Sequence, residues 1–403
     1  MNLAPSSTHC PNPPRVVIAG LGLISPLGHS AWSTFRALLS GATVADRLEN
    51  LEPDTDPVPL AQAVGGVSLA RHSAIDPAVD LAERAVREAA AEAGVNPAGL
   101  PTWLGTSKGA VTALTQAAFA HHRSPGAIPA DLAASVALGP HGYLTHHLVR
   151  RTGIQVQSHT VAACTSGLMA LQYAQKSLQT GTTQHALVVS SESALLPTFV
   201  HSYRRLGVLA PTTREGYIAR PLDNARNGFV LGEVGVAVLL RACTTPQPGE
   251  IELLGTAITT DPHDLIRSNP DMTGLAHVAQ QLASCGPIAA IHPHAPGTAQ
   301  HDQDELAMLE KHLGNAQAPP AVYAVKGGLG HTLGSSGLVS LTIAALCART
   351  EQRPPMPWIT QALKTTAVTV ESQKHPLKPG IHAVLAAGFG GHVAGAALLR
   401  TPR

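Results

Sequence analysis

Short apolar runs alternate along the chain with segments in which apolar residues recur at helical spacing. The β-branched run at 15–19 and the short apolar runs at 186–190 and 288–291 predict buried strands. Residues 78–93 place apolar side chains at helical spacing and stop at Gly94, which predicts a helix closed by a glycine cap. Strands that alternate with helices predict an α/β fold with mainly parallel sheets.

The same rhythm of strands and helices occurs twice, which predicts two similar halves. The first half covers residues 15–243 and the second covers residues 250–403, with the linker TTPQPG at 244–249 between them. No residue-level repeat is strong enough to demonstrate a duplication. The Pro-rich lead at residues 1–14 is predicted to be disordered.

Two local expectations concern the places where strands end. Gly20 and Gly22 predict a turn directly after the first strand, and residues 323–325 predict a short strand. The Gly-x-Gly pair is weak evidence for a dinucleotide site, because it lacks a third glycine in register and Ser25 and Pro26 stand where the helix would begin.

Composition excludes several classes of partner. Charged residues make up 13% of the chain, about half of the 25% typical of soluble domains. The formal net charge of +1 gives no electrostatic case for nucleic acid or an anionic membrane. No uninterrupted apolar run is long enough to span a bilayer, so no membrane span is predicted. The hydrophobic content of 44% argues against disorder.

Cysteine and histidine usage predicts neither disulfides nor a metal site. The five cysteines are widely spaced without a CxxC pair, which favours a reducing compartment, and the N-terminus lacks the features of a signal peptide. A cytoplasmic location is therefore expected. The pairs His121–His122 and His146–His147 have no third ligand at helical spacing, so exposed neutral histidines are expected there.

Cys164 stands where an apolar strand breaks into small residues and a helix begins. Unpaired N–H groups at a helix N-terminus lower the pKa of a thiol and stabilise the thiolate. Small neighbours would allow a tight turn that directs the sulfur into a cavity. A buried structural cysteine is the alternative, and Cys164 considered alone favours it.

Two histidines in Gly-rich surroundings are candidate partners for this cysteine. His294 ends a strand and precedes the loop Ala-Pro-Gly-Thr, and His331 closes the segment KGGLGH before a helix of small residues at 333–347. Each histidine alone could be an ordinary core or surface residue. Together with Cys164 they form a candidate Cys/His/His set, which suits acyl transfer followed by chemistry on a carbonyl.

Six ordered motifs extend this pattern over nearly the whole chain after residue 14. They are VVIAGLG followed by SPLG, TVAACTSG around Cys164, RPLD through RNGF to GE at 220–233, HAPGT followed by Asp302 and Glu305, KGGLGH followed by GSSG, and GFGG at 388–391. In this order and spacing the chain resembles the β-ketoacyl-acyl carrier protein synthases of the thiolase superfamily. The resemblance implies a thiolase-like fold of two similar halves, each with a five-stranded sheet between helices, giving five layers and usually a dimer.

The resemblance also implies the reaction and the residues that perform it. Cys164 would hold the acyl chain as a thioester, and the backbone N–H groups of Cys164 and Phe389 would form an oxyanion hole. Phe389 would also gate the acyl tunnel. His294 and His331 would promote decarboxylation of a malonyl thioester, whose carbanion then attacks the acyl-cysteine to give a β-ketoacyl thioester.

Further residues would support this site. The resemblance implies that Lys326 orders the site through hydrogen bonds, that Asp302 and Glu305 support it, and that Thr298 contacts the phosphopantetheine arm. No cofactor or metal is expected, because the substrates arrive on the phosphopantetheine of an acyl carrier protein. The partners implied are that carrier protein and a second ketosynthase-like subunit, in a homodimer or a heterodimer.

A cysteine with two histidines is the pattern of an elongating synthase, since the initiating branch pairs cysteine with histidine and asparagine. Three departures from the family pattern stand out: Ser340 replaces a common glutamate, Pro296 replaces a threonine, and His392–Val393 replaces Thr-Asn. They suggest a synthase of a dedicated polyketide, polyene or pigment pathway. Neutral drift with an unchanged fatty acid activity has similar weight.

Other functions remain open at this point. A non-catalytic chain-length factor would usually lack the cysteine, so Cys164 argues against that class, but the chain could be the active half of such a heterodimer. A thioester hydrolase or acyltransferase is a weaker option. Arg204, Arg205 and Arg214 are candidates for contact with an acidic carrier protein, and an ordinary solvated loop is an equal alternative.

Overall fold

The computed structural model describes most of the chain. The described residues are 13–44, 48–49, 58–61, 76–123, 129–211 and 216–402. Most of the predicted disordered lead lies outside them, and so does Arg214. Residues 13 and 14 are described and have no regular secondary structure.

The strands of the described residues follow the apolar runs of the sequence. They are β1 (Arg15–Ile24), β2 (Leu48–Glu49), β3 (Val58–Ala61), β4 (Pro101–Gly105), β5 (Gln155–Thr160), β6 (His185–Glu192), β7 (Leu231–Gly232), β8 (Val234–Cys243), β9 (Ile251–Thr260), β10 (Ile288–His292), β11 (Ala321–Val322), β12 (Gln352–Arg353), β13 (His375–Pro376), β14 (Ile381–Ala387) and β15 (His392–Arg400).

The helices of the described residues alternate with these strands in both halves. They are α1 (Ala31–Leu39), α2 (Pro77–Glu92), α3 (Val111–Arg123), α4 (Ala130–Thr152), α5 (Ser166–Gln179), α6 (Pro197–Arg205), α7 (Thr273–Ala283), α8 (Ala299–Leu313), α9 (Lys326–Leu329) and α10 (Ser336–Thr350). Short 3-10 turns at Ala163–Thr165 and Leu333–Ser335 precede α5 and α10. The predicted helix that stops at Gly94 is α2.

Ten strands form the main sheet in the order β11-β10-β14-β15-β9-β1-β8-β6-β4-β5. The first five belong to the second half of the chain and the last five belong to the first half. The two sets meet at β9 and β1, which pair only through Val17 with Glu252 and Ile18 with Ile251. The α/β class and the five strands expected of each half are thus confirmed.

The expectation of mainly parallel sheets was wrong. β4 runs parallel to β5 and β6, and β10 runs parallel to β11 and β14, but β1, β8, β9 and β15 are antiparallel to their neighbours in the main sheet. The turn at 388–391 between β14 and β15 is far too short for a crossover, so β15 must return beside β14 in the opposite direction. Gly390 and Gly391 adopt φ values of 82° and 77° in this turn.

The first strand also extends beyond its predicted end. Gly20 and Gly22 lie inside β1 instead of in a turn, and the chain turns after Ser25. A Cβ atom at Gly22 would lie 2.0 Å from the carbonyl oxygen of Ala85 in α2. The glycines therefore allow α2 to lie directly on the strand. The short strand expected at 323–325 is instead β11, directly before it.

We expect Gly22→Ala to lower the free energy of unfolding by about 2 kcal/mol, because the added methyl group meets backbone that cannot move independently of α2. Thermal denaturation measures this change. Gly255→Ala is the matched control, since a Cβ there would make an ordinary contact of 3.6 Å with the Cys285 sulfur. Equal loss in both variants would contradict the proposed packing.

The helices complete a five-layer arrangement. α2 packs on strands of the first half, and α7 packs on strands of the second half and on α8. α5 and α10 contact strands of both halves and each other, so they form the central layer. Every residue of α10 from Ser336 to Ala348 is buried, as the helix of small residues predicted.

The segment Leu333–Thr350 is the one stretch of the described residues long and apolar enough to cross a bilayer by length and composition. Its mean hydropathy is 1.3, but 89% of it is buried inside the protein. We therefore interpret it as a core helix.

Candidate active site

Cys164 lies in the 3-10 turn that joins β5 to the central helix α5. Ala163 before it adopts φ 45°, a conformation that a non-glycine residue takes only when its surroundings enforce it. The Ser166 hydroxyl donates to the Ala163 carbonyl at 2.7 Å and accepts from the Ala162 N–H at 2.9 Å, which holds the turn. The side chain of Cys164 lines a cavity of about 680 Å³.

The structure brings both predicted histidines to this cysteine. Nε2 of His331 lies 3.4 Å from the Cys164 sulfur, and one donor atom from each of Cys164, His294 and His331 lies within 4.8 Å of the others. The Leu333 N–H donates to Nδ1 of His331 at 3.2 Å. Because Nδ1 accepts this bond, the proton of the neutral ring sits on Nε2 and points toward the cysteine.

Glu305 and Lys326 hold the backbone around His294. The Glu305 carboxylate accepts the N–H groups of His294 and Ala295, both at 2.7 Å, and the Lys326 ammonium donates to the carbonyl oxygen of His294. Ala295 has φ 29°, which requires such support. Glu305 and Lys326 therefore order the loop that carries His294.

Asp302 ties the same loop to the first half of the chain. Its carboxylate accepts the Gly297 N–H at 2.9 Å and the Leu222 N–H at 3.0 Å. Burial raises the pKa of Asp302 to about 6, although the two hydrogen bonds by themselves lower this pKa. Asp302 and Glu305 are both buried on α8, one helical turn apart, so the DxxE spacing directs two carboxylates at one loop.

Burial sets the protonation states of the site. It lowers the pKa values of His294 and His331 well below the ordinary histidine value, and the positive charge of Lys326 lowers both further. Both imidazoles are therefore neutral at pH 7 and can donate an N–H bond without carrying a charge. Burial also lowers the pKa of Lys326 to about 8.

The pKa of the Cys164 thiol does not follow the expectation that a helix N-terminus lowers it. Burial raises the pKa of Cys164 to about 11, although the charges of Lys326 and Lys108 act in the opposite direction. Desolvation of the sulfur thus outweighs the favourable charges around it.

We expect alkylation of Cys164 by iodoacetamide to accelerate about tenfold per pH unit between pH 7 and pH 9, because the thiolate fraction rises tenfold per unit below the thiol pKa. Peptide mass spectrometry separates Cys164 from the other cysteines. A rate that is already constant at pH 7 would show that the helix N-terminus outweighs burial.

Phe389 and Thr298 also lie where the motifs predict. Both line the cavity that contains Cys164. A Cβ atom at Gly388 would lie only 3.0 Å from the Cys164 backbone nitrogen, so the GFGG turn passes directly beside the cysteine. Thr298 is the N-cap residue of α8 and makes no capping hydrogen bond through its side chain.

Sequence reasoning missed several residues of the site. Glu192, fully buried at the end of β6, accepts the N–H groups of Ser107 and Lys108, and burial raises its pKa to about 7. His301 packs edge-on against His294 with ring centres 5.1 Å apart, and Phe229 packs against His331 at 4.8 Å. The sequence did contain a signal for Glu192, because a carboxylate stands two residues after the apolar strand predicted at 186–190.

Cys164, His294 and His331 are close enough to hold a metal ion. The hydrogen bond from Leu333 to Nδ1 of His331 opposes this, because it leaves Nε2 protonated and without a free lone pair for a metal. The geometry instead suits donation of Nε2–H to an oxygen or sulfur in the cavity.

Two family models match the chain. The β-ketoacyl synthase N-terminal domain matches residues 14–244, and the β-ketoacyl synthase C-terminal domain matches residues 251–360. The chain belongs to the β-ketoacyl synthase family. The recognition made from the six motifs, and with it the acyltransferase class, is confirmed.

Relatives of this ketosynthase come from fatty acid and polyketide systems. The 3-oxoacyl-[acyl-carrier-protein] synthase 2 of Mycobacterium leprae is 26% identical over 85% of the chain and 86% of the relative. The tetracenomycin polyketide synthase ketoacyl synthase alpha subunit of Streptomyces glaucescens is 25% identical over the same shares.

Solved structures of ketosynthases share the fold. A type II polyketide ketosynthase in complex with its acyl carrier protein and bound to the hexaketide has a TM-score of 0.84 at 19% identity, covering 96% of this chain and 100% of that one. A β-ketoacyl synthase from Burkholderia phymatum has a TM-score of 0.82 at 20% identity over 96% and 100% of the two chains. These neighbours confirm the thiolase-like fold.

Proposed function

We propose that this ketosynthase condenses an acyl thioester held on Cys164 with malonyl-acyl carrier protein, releasing CO₂ and giving a β-ketoacyl-acyl carrier protein. The observation that carries the proposal is the buried cluster in which His331 Nε2 lies 3.4 Å from the Cys164 sulfur beside a second neutral imidazole, His294. Family membership and the polyketide and fatty acid relatives support it.

The first step is transfer of the acyl group. The Cys164 thiolate attacks the thioester carbonyl, the backbone N–H groups of Cys164 and Phe389 stabilise the oxyanion, and the phosphopantetheine thiolate leaves with the proton that the cysteine gave up. The charges of Lys326 and Lys108 favour the small thiolate fraction that reacts.

The second step is decarboxylation of the malonyl group. His294 and His331 donate N–H bonds to the thioester carbonyl oxygen, which becomes an enolate oxygen as the bond to CO₂ breaks. The enolate carbon then attacks the acyl-cysteine carbonyl, the new C–C bond forms, and the Cys164 thiolate is released. Neutral imidazoles suit this role, because they stabilise developing negative charge without needing to lose a proton.

The remaining predicted residues hold the catalytic groups and the substrate in position and do not react themselves. Lys326 and Glu305 fix the loop of His294, and Asp302 fixes the turn that follows it. Thr298 would contact the phosphopantetheine arm, since its hydroxyl is not used as a helix cap. The substrates carry their own phosphopantetheine, so the proposed reaction requires no resident cofactor or metal.

A dedicated polyketide, polyene or pigment pathway in the cytoplasm is the setting we propose. Relatives named as ketoacyl synthases of polyketide systems support this choice. The replacements Pro296 and Ser340 lie in the cavity wall and in the buried helix α10. A non-catalytic chain-length factor is not favoured, because Cys164 and both histidines are assembled.

A second ketosynthase-like chain is the partner we propose for the edge of the main sheet at which β5 lies. β5 is the last strand, and exposed apolar side chains occur on the neighbouring elements: Phe119 on α3, Val136 on α4 and Val161 directly after β5. Light scattering of the chain purified alone tests this proposal. A dimer indicates a homodimer, association only on co-expression with a related subunit indicates a heterodimer, and an active monomer contradicts both.

An acyl carrier protein is the proposed carrier of both substrates. Arg204 and Arg205 are exposed at the end of α6, next to the cavity residues Tyr203 and Leu206, and could meet its acidic surface. Purified enzyme mixed with acyl- and malonyl-acyl carrier protein should release CO₂ and form the β-ketoacyl product. Neither CO₂ release nor labelling of Cys164 would refute the proposed function.

A further inference from the structure

A lysine lines the same cavity as the nucleophile. Lys108 follows β4, is partly buried, and places its ammonium group 6.0 Å from the ring centre of Phe199 on α6. Within the part of the chain that the structure describes, no carboxylate lies within 4.0 Å of this ammonium group. The cavity wall therefore contains a cation that forms no salt bridge with a described residue, although its charge lowers the pKa of the buried Glu192 carboxylate.

A phenol lines the same cavity. Tyr203 packs its ring against Phe229, with centres 6.0 Å apart, and its hydroxyl makes no hydrogen bond to any described residue. Burial raises the pKa of Tyr203, so the hydroxyl remains a donor at neutral pH. Ala163, Val208 and Leu333 are among the apolar residues that line the same cavity.

A hydrocarbon chain would fit this wall poorly. It would displace water from the ammonium group and the hydroxyl without returning a hydrogen bond, and each unsatisfied polar group costs free energy. A chain with carbonyl or carboxylate oxygens would accept a bond from each donor, and the bond to a charged donor is the stronger.

We infer that the acyl chain loaded on Cys164 carries oxygen, and that Lys108 and Tyr203 select it over a plain hydrocarbon chain. This inference rests on the proposed function, because it concerns the acyl group that the cysteine accepts. Keto oxygens retained along the chain and a terminal carboxylate share the required acceptor chemistry.

Lys108 could also act on the nucleophile alone, since its charge lowers the pKa of Cys164. That role predicts a different result from selection. Loss of the charge would then slow loading of every acyl chain by the same factor, whereas selection slows the oxygenated chains by a larger factor than hexanoyl.

Three six-carbon thioesters of N-acetylcysteamine separate these cases: hexanoyl, 3-oxohexanoyl and adipoyl. Acylation of Cys164 is followed by intact mass spectrometry in the wild type, Lys108→Met and Tyr203→Phe. Lys176→Met, on the exposed face of α5, is the matched control. Thermal denaturation of each variant verifies folding.

The wild type is expected to load at least one oxygenated chain about tenfold faster than hexanoyl, as a hydrogen bond to a charged donor allows. Lys108→Met should remove this preference, because it should slow the oxygenated chains about tenfold more than hexanoyl. Tyr203→Phe should reduce the preference, and Lys176→Met should retain it. Faster loading of 3-oxohexanoyl would identify keto oxygens as the acceptors, and faster loading of adipoyl would identify a terminal carboxylate.

Equal loading of all three chains by the wild type would overturn this inference and leave the proposed function intact. A uniform loss of rate in Lys108→Met would also overturn it, in favour of the effect on the thiol. No loading from any thioester would refute the proposed function itself, and the inference with it.

Discussion

Replacement of Cys164 by alanine is expected to abolish acyl loading and to lower the rate of condensation by at least roughly a thousandfold. The reason is covalent, since no other described cysteine lines the cavity and the acyl group therefore has no second thiol to which it can attach. The fold should persist with a change of about 1 kcal/mol in the free energy of unfolding, because alanine fits the turn before α5. Intact mass spectrometry with an acyl thioester measures loading.

Cys243→Ala is the matched control for this experiment. Cys243 is a partly buried free cysteine at the end of β8, far along the sheet from the cavity, so its removal should leave loading unchanged. An acyl adduct that forms at the wild-type rate in Cys164→Ala would move the nucleophile elsewhere and contradict the proposed mechanism.

Replacement of His331 by alanine is expected to slow decarboxylation of malonyl-acyl carrier protein by about a hundredfold to a thousandfold. The variant loses the Nε2–H donor that Leu333 directs into the cavity, which is one of the two proposed donors to the enolate oxygen. Acyl loading should fall by less than about tenfold, because the oxyanion hole of the first step is made of backbone N–H groups. CO₂ release and the Cys164 adduct are measured separately.

His277→Ala, on the exposed face of α7, controls for the loss of an imidazole and should change neither step. If His331→Ala lost loading and decarboxylation by the same factor, the division of roles between the two steps would be wrong. The same two measurements on His294→Ala would show whether the two imidazoles contribute equally to stabilising the enolate oxygen.

The catalytic residues of the site were predictable from the order and spacing of the sequence motifs. Cys164, His294, Lys326 and His331 stand in motifs whose spacing reflects strand ends, and strand ends of an α/β sheet bring loops from distant sequence positions to one place. The burial of α10 was also predictable, because a helix with small or aliphatic residues on all faces needs neighbours on all faces.

Other features depend on packing that no local pattern reports. The glycines of β1 suggested a turn, but Gly22 serves close contact with Ala85 of α2. The pKa of Cys164 was expected to fall at a helix N-terminus, yet burial raises it to about 11. The extent of desolvation is a property of the folded cavity and cannot be read from neighbouring residues in the sequence.

The most direct test of the proposed function follows one acyl group through Cys164. The enzyme is first loaded with a labelled acyl thioester, freed of excess reagent, and then mixed with malonyl-acyl carrier protein. The label should leave Cys164 and appear in β-ketoacyl-acyl carrier protein, with one CO₂ released for each label transferred. A label that remains on Cys164 while CO₂ is released, or that appears as free acid, would contradict the proposed condensation.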